Sequence, residues 1–337
     1  MTICICGAGS LGHVIAGWTA AYQVGDVNVL SSKPSLWGDT IVVHTPEGQQ
    51  LRGRISCVGE DPRIVEGADV VLLCYPGFMI EGALRSIAPY LSPKAYVGGV
   101  FCSTGFFFEA KSILPKEQPL WGFQRVPFIA RVQEYGKSAN LLGYKPELNV
   151  AVENVPESDK QQFAEFLSRW FRCPVHLLCN YYEASLSNSN PLLHPARLYS
   201  LFAGAHEGEA YPQQVRFYEE WSDEASQLLI EMDREFFRLL DELPVRKGFL
   251  PTILDYYEST DAASLTRKIS SIAAFKGIMA PMVRREDGMW VPDYASRYFT
   301  EDFPYGLRYI RDLAVRKGVQ VPRIEEVFRW GMSKISR

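Results

Sequence analysis

Three polar side chains in the second half of the chain could do chemistry: His194, Arg297 and Asp302. His194 lies in Asn188-Ser189-Asn190-Pro191-Leu192-Leu193-His194-Pro195, where prolines on both sides restrict how the chain presents the imidazole. An imidazole titrates near neutrality and can give and take a proton in one cycle. The blander reading is a capping or interface histidine. Arg297 and Asp302 share the segment Arg297-Tyr298-Phe299-Thr300-Glu301-Asp302-Phe303-Pro304-Tyr305-Gly306-Leu307. On composition alone Arg297 could be a surface ion pair, worth little. Asp302 is well placed to cap a helix ahead of Pro304.

A second constellation stands at the start of the chain. Ile3-Cys4-Ile5-Cys6 runs into Gly7-Ala8-Gly9-Ser10-Leu11-Gly12, and Leu11, Val14, Ile15 and Trp18 continue as a helical stripe. Strand, Gly-x-Gly-x-x-Gly turn and helix together form a dinucleotide-binding pattern. Gly7 permits the turn, Gly9 lets the backbone approach a pyrophosphate, and Gly12 lets helix and strand pack closely. The phosphates would sit on free N–H groups at the helix N-terminus. The next strand, Val27–Leu30, ends in Ser31-Ser32-Lys33 with no acid for a ribose 2′-hydroxyl. Ser32 and Lys33 suit a 2′-phosphate better, so NADP is expected over NAD, with NAD still possible; a plain polar turn is the alternative.

The remaining elements must position these groups. Thr40–Val43 and Gln50–Ser56 flank a hairpin turn, and Ala68–Cys74 reads as a strand buried on both faces. Tyr75-Pro76-Gly77 breaks that strand at the end where ligands of such sheets bind, which makes Pro76 a candidate cofactor contact. Ala95–Phe101 is another strand, and residues 119–152 read as the last strands of the first domain. Gln124, within that stretch, is a further candidate contact for substrate or nicotinamide. Ser158–Phe171 reads as a helix with a Ser158/Gln161 capping box, and Pro174–Leu178 would close the sheet. Beyond about Asn180 the strand signal disappears. Helices are expected over 196–205, 226–243, 264–276, 305–317 and 322–335. The expected division is a Rossmann dinucleotide domain over 1–179 and an all-helical domain over 180–337, α/β plus all-α.

Composition narrows the function classes. The chain has 337 residues, 47% hydrophobic and 22% charged, with a formal net charge of −4 and no basic block, so nucleic acid and anionic membranes are not expected partners. Seven cysteines show no metal-ligand spacing, and no metal is expected. With no secretory leader and no run near roughly 18 apolar residues, the expectation is a soluble cytoplasmic protein.

Four stretches, GAGSLG, GFQRVPFIARVQEYGK, NPLLHP and RYFTEDFPYGL, resemble the opine dehydrogenase family of the octopine and nopaline type. That family is related to ketopantoate reductase and 6-phosphogluconate dehydrogenase, whose helical domain the second half would share. The resemblance implies NAD(P)H-dependent condensation of an amino acid with a 2-keto acid through a reduced imine. It assigns the catalytic histidine to His194, its partner aspartate to Asp302 and the keto-acid arginine to Arg297, the first two meeting across a cleft. Small-molecule substrates follow as partners, and a homodimer is one assembly the reading allows. Other outcomes are a 2-keto or 3-hydroxy acid reductase on the same architecture, or a catalytically silent NADP-binding regulatory protein. The chain departs from the family pattern in being short and in reading Tyr75-Pro76-Gly77-Phe78-Met79-Ile80-Glu81 where a histidine is expected.

Overall fold

A computed structural model describes residues 1–204 and 209–335. The chain forms two compact units, Met1–Ser185 and Leu186–Arg337.

The first unit contains twelve strands among the described residues. They are β1 (Thr2–Cys6), β2 (Asp26–Leu30), β3 (Thr40–His44), β4 (Gln50–Arg54), β5 (Cys57–Gly59), β6 (Val70–Leu73), β7 (Tyr96–Gly99), β8 (Leu120–Phe123), β9 (Phe128–Glu134), β10 (Ser138–Tyr144), β11 (Leu148–Glu153) and β12 (Val175–Leu177). The main sheet has the order β12-β11-β8-β7-β6-β1-β2-β5 and is parallel except where β11 meets β8. After β1 the chain moves to β2 on one side and later to β6 on the other, so the connections diverge at β1. Ligands of doubly wound sheets bind at such a point, beyond the carboxyl ends of the strands. Alternation along β1 explains the burial of both faces: Ile3 and Ile5 enter one core, Cys4 and Cys6 the other.

Helix α1 (Ser10–Ala21) follows the glycine turn and is buried from Gly12 through Thr19. One side lies on the main sheet. The other meets a second sheet, β4-β3-β10-β9, which sequence alone did not separate from the first. Residues 119–152 therefore do not all extend the main sheet: β9 and β10 leave it, and β11 returns. Gly17 permits this layering, since a Cβ there would stand 2.5 Å from the Val43 side chain.

Helices α2 (Gly77–Ile87), α3 (Phe106–Ile113) and α4 (Glu157–Phe171) complete the layers. The capping box expected at Ser158 and Gln161 is absent. Pro156, at φ −55°, starts α4 earlier, so Ser158 falls inside the first turn and donates to Asp159, while Gln161 donates to Glu165. Helix α5 (Tyr181–Ser185) stays with the first unit, because the Tyr181 N–H donates to Glu153. The compact boundary thus falls after Ser185, a few residues beyond the expected one.

The second unit comprises α6 (Asn190–Phe202), α7 (Asp223–Asp241), α8 (Ile253–Tyr256), α9 (Ala262–Ser271), α10 (Arg297–Thr300), α11 (Arg308–Lys317) and α12 (Pro322–Ile335). The helix expected over 196–205 is α6; Ala205 lies outside the described residues. A short hairpin, β13 (Met282–Arg284) with β14 (Trp290–Pro292), interrupts the otherwise helical unit. Its strands are three residues each, too short for periodicity to reveal. The helix expected from Tyr305 begins at Arg308; ahead of it, Phe303–Leu307 form a wide turn in which Tyr305 is non-helical. Among the described residues no helix is long and apolar enough to cross a membrane.

Candidate active site

The glycine turn is shaped by close backbone contacts. Gly7 has φ +106°, which side chains rarely adopt, and its N–H donates to Leu30 O at 3.1 Å, joining the ends of β1 and β2. A Cβ on Gly12 would lie 1.8 Å from Gly7 O, whereas one on Gly9 would meet no protein atom within 4 Å. Gly9 is the N-cap of α1, and no side chain caps that end. Free N–H groups facing open space at a helix N-terminus form an anion cradle. The turn of Gly7, Ala8, Gly9, Ser10, Leu11 and Gly12 therefore fits a dinucleotide pyrophosphate.

His13 locks that cradle in place, a role the sequence did not reveal. Its Nε2 accepts the Gly136 N–H at 2.7 Å, so Nδ1 carries the proton and donates to Gly9 O at 3.0 Å. Burial lowers the His13 pKa, which favours this neutral form. Ser10 Oγ accepts the Val132 N–H at 3.3 Å, a second tie to the β9–β10 hairpin. The same hairpin supplies Tyr135, whose hydroxyl is 3.0 Å from Ser31 Oγ and whose ring lies 5.8 Å from the Lys33 ammonium. Ser32 and Lys33 are exposed beyond β2, while Ser31 is buried. Pro76 caps α2 at the end of β6, and Gln124 follows β8, where its side chain accepts from Asn149 at 3.0 Å. Ser103, after β7, has a buried hydroxyl without a hydrogen-bond partner among the described residues.

The helical unit brings His194 and Asp302 together: Nδ1 and Oδ2 are 2.8 Å apart, with side chains 11% and 19% exposed. They meet inside one unit rather than across a cleft, because both lie in segments that pack on each other. Gly306 makes this approach possible, since a Cβ there would stand 3.0 Å from the Pro191 ring on α6. Asp302 makes no capping bond of its own; its side chain turns to the imidazole instead. On the other ring nitrogen, His194 Nε2 lies 2.9 Å from the hydroxyl of Tyr218. No local signal marked Tyr218, because Phe217, Tyr218 and Trp221 read as ordinary apolar packing. Arg297 stands close enough to this pair for the Asp302 charge to act on it, but its side chain is 81% exposed and forks onto Glu301 at 3.1 and 3.0 Å. Among the described residues no cluster of His, Cys, Asp or Glu could hold a metal.

A glycine turn at the divergence point of a doubly wound sheet, joined in one chain to a helical unit with a largely buried histidine–carboxylate pair, defines a nicotinamide-dependent dehydrogenase. A family model described as NAD/NADP octopine/nopaline dehydrogenase, alpha-helical domain, matches residues 177–335. Octopine dehydrogenase of Pecten maximus is 26% identical, over 99% of this chain and 90% of its own length. An uncharacterized protein of Sinorhizobium fredii is 30% identical, over 98% and 94%. Among solved structures, octopine dehydrogenase in complex with NADH and agmatine aligns with TM-score 0.83 and 25% identity, covering 100% of this chain and 90% of that one. Yersinopine dehydrogenase with NADP+ bound has TM-score 0.70 at 13% identity, covering 100% and 91%. A ketopantoate reductase from Ralstonia eutropha has TM-score 0.66 at 16% identity, covering 100% and 99%. The chain belongs to the octopine/nopaline dehydrogenase family.

Proposed function

We propose that this dehydrogenase condenses the amine of an amino acid with a 2-keto acid and reduces the resulting imine, with NADPH as its preferred cofactor. The observation that carries the reading is the 2.8 Å contact between His194 Nδ1 and Asp302 Oδ2 in a largely buried setting. The carboxylate holds the proton on Nδ1 and stabilises the imidazolium. His194 can then furnish the proton with which the carbinolamine oxygen leaves as water, while the amine lone pair forms the C=N bond. The cofactor supplies the hydride that reduces it. Following NADPH oxidation in a grid of keto acids with and without amino acids tests the reading. Oxidation that requires both partners supports it. Oxidation with a keto acid alone identifies a simple reductase, and binding without oxidation identifies a silent nucleotide-binding protein.

Ser31-Ser32-Lys33 in place of an acid after β2, with Lys33 beside Tyr135, is what supports NADPH over NADH. Lys33→Ala should lower kcat/KM for NADPH about tenfold, the worth of one charge-assisted contact, and leave NADH nearly unchanged. Equal use of both cofactors by the wild type would remove the basis for the preference.

Arg297 is assigned to the keto-acid carboxylate, which would take the place Glu301 now occupies on its guanidinium. Arg297→Lys, which loses the planar fork, should raise the KM for the keto acid about tenfold without changing NADPH affinity. An unaltered KM would leave Arg297 as an ion pair on the surface.

A further inference from the structure

Both nitrogens of His194 are already engaged by the protein. Nδ1 faces Asp302, and Nε2 faces the Tyr218 hydroxyl at 2.9 Å. A substrate can exchange a proton with this imidazole only through one of those partners or by displacing one. Asp302 as a carboxylate only accepts hydrogen bonds, whereas a hydroxyl donates and accepts at once.

Tyr218 is held firmly. It is 5% exposed; its ring stacks on Phe275 with centroids 4.2 Å apart and meets Phe217 edge-on at 4.8 Å. The backbone around it is fixed by Arg197, which lies on α6 three residues beyond His194. Arg197 donates to Phe217 O at 2.8 Å and to Glu220 O at 2.6 Å, and its guanidinium lies over the Trp221 ring at 5.5 Å. Arg197 is itself only 1% exposed, and its Nε and Nη2 donate to these carbonyls. One helix thus presents the imidazole and anchors the loop whose hydroxyl meets it.

We propose that Tyr218 is a third member of the catalytic unit, its hydroxyl passing the proton between His194 Nε2 and the substrate. As the carbinolamine C–O bond breaks, the Tyr218 O–H gives its proton to the departing oxygen. The imidazolium Nε2–H replaces it on the phenol oxygen. Tyr218 is neutral before and after, the positive charge passes from imidazolium to iminium, and one water leaves. Burial pushes the Tyr218 phenol well above its usual value, which suits a neutral relay rather than a phenolate base.

This inference rests on His194 being the acid and base of the proposed reaction, so the test separates the two. Tyr218→Phe keeps the ring and its packing and removes only the hydroxyl. Its kcat should fall about 100-fold, at the lower end of what acid–base catalysis contributes, with the keto-acid KM, NADPH affinity and melting temperature near wild type. Tyr218→Phe combined with His194→Ala should be no slower than His194→Ala alone. A kcat within about threefold of wild type in Tyr218→Phe, when His194→Ala is inactive, overturns the relay alone. A loss of kcat that tracks a loss of melting temperature also overturns it, because the role is then structural. Full activity in His194→Ala overturns the underlying reading.

Discussion

Replacing His194 by alanine should lower kcat by roughly 10²–10⁴, the usual contribution of a positioned acid and base, while NADPH binding is retained. Asp302→Asn should fall in the same range. Asparagine can turn its amide N–H toward Nδ1, place the proton on the wrong nitrogen and leave the imidazolium without a countercharge. The double variant should be little slower than His194→Ala alone, because a carboxylate that works through the imidazole has nothing to act on once the ring is gone. Steady-state rates of the three variants, with NADPH fluorescence titrations and melting curves alongside, decide the matter. If Asp302→Asn keeps most of its activity, the carboxylate serves only to tie its own segment to α6. The structure already removes the capping role that would make asparagine an equal substitute, since the Asp302 side chain makes no capping bond.

The second large effect separates two glycines of one turn. Gly9→Ala adds a methyl that meets no protein atom within 4 Å, at a residue with φ −80° that alanine tolerates. Folding should be untouched, yet the methyl points into the space a pyrophosphate must enter, so NADPH affinity should fall tenfold or more. Gly12→Ala places its methyl 1.8 Å from Gly7 O. Gly7 cannot easily retreat, because its N–H is bonded to Leu30 O. Overpacking of this kind costs about 1–3 kcal/mol, so this variant should lose both stability and cofactor. Melting temperature and NADPH titration for the pair give the answer. Unchanged NADPH affinity in Gly9→Ala would mean that the turn does not hold the phosphates.

The sequence by itself determined the nucleotide-binding half at its centre. A four-residue apolar run, three glycines at fixed spacing and a helical stripe are local patterns, and each constrains backbone within a few residues of itself. The long helices α7 and α12 followed from periodicity in the same way, as did the pairing of β3 with β4 across a turn. The segments around His194 and Asp302 were recognisable as unusual, because prolines beside polar groups in an apolar half are visible in one dimension.

Tertiary structure decided which of those groups meet. The His194–Asp302 contact spans 108 positions, the His194–Tyr218 contact 24, and the bond from Gly136 to His13 spans 123. No pattern of short period encodes such pairings; they arise when separate elements pack and their buried polar atoms must find partners. Burial of apolar surface drew β9 and β10 away from the main sheet to cover α1, where a run of helical residues buried all round needed a second apolar layer. Packing also distinguished Arg297 from Arg197. Both are arginines on helices of the same unit, yet one stands in solvent on a neighbouring glutamate, and the other is buried where three carbonyls and an indole surround it. Residue type and spacing named the chemistry available to this chain, and burial assigned each group its partner.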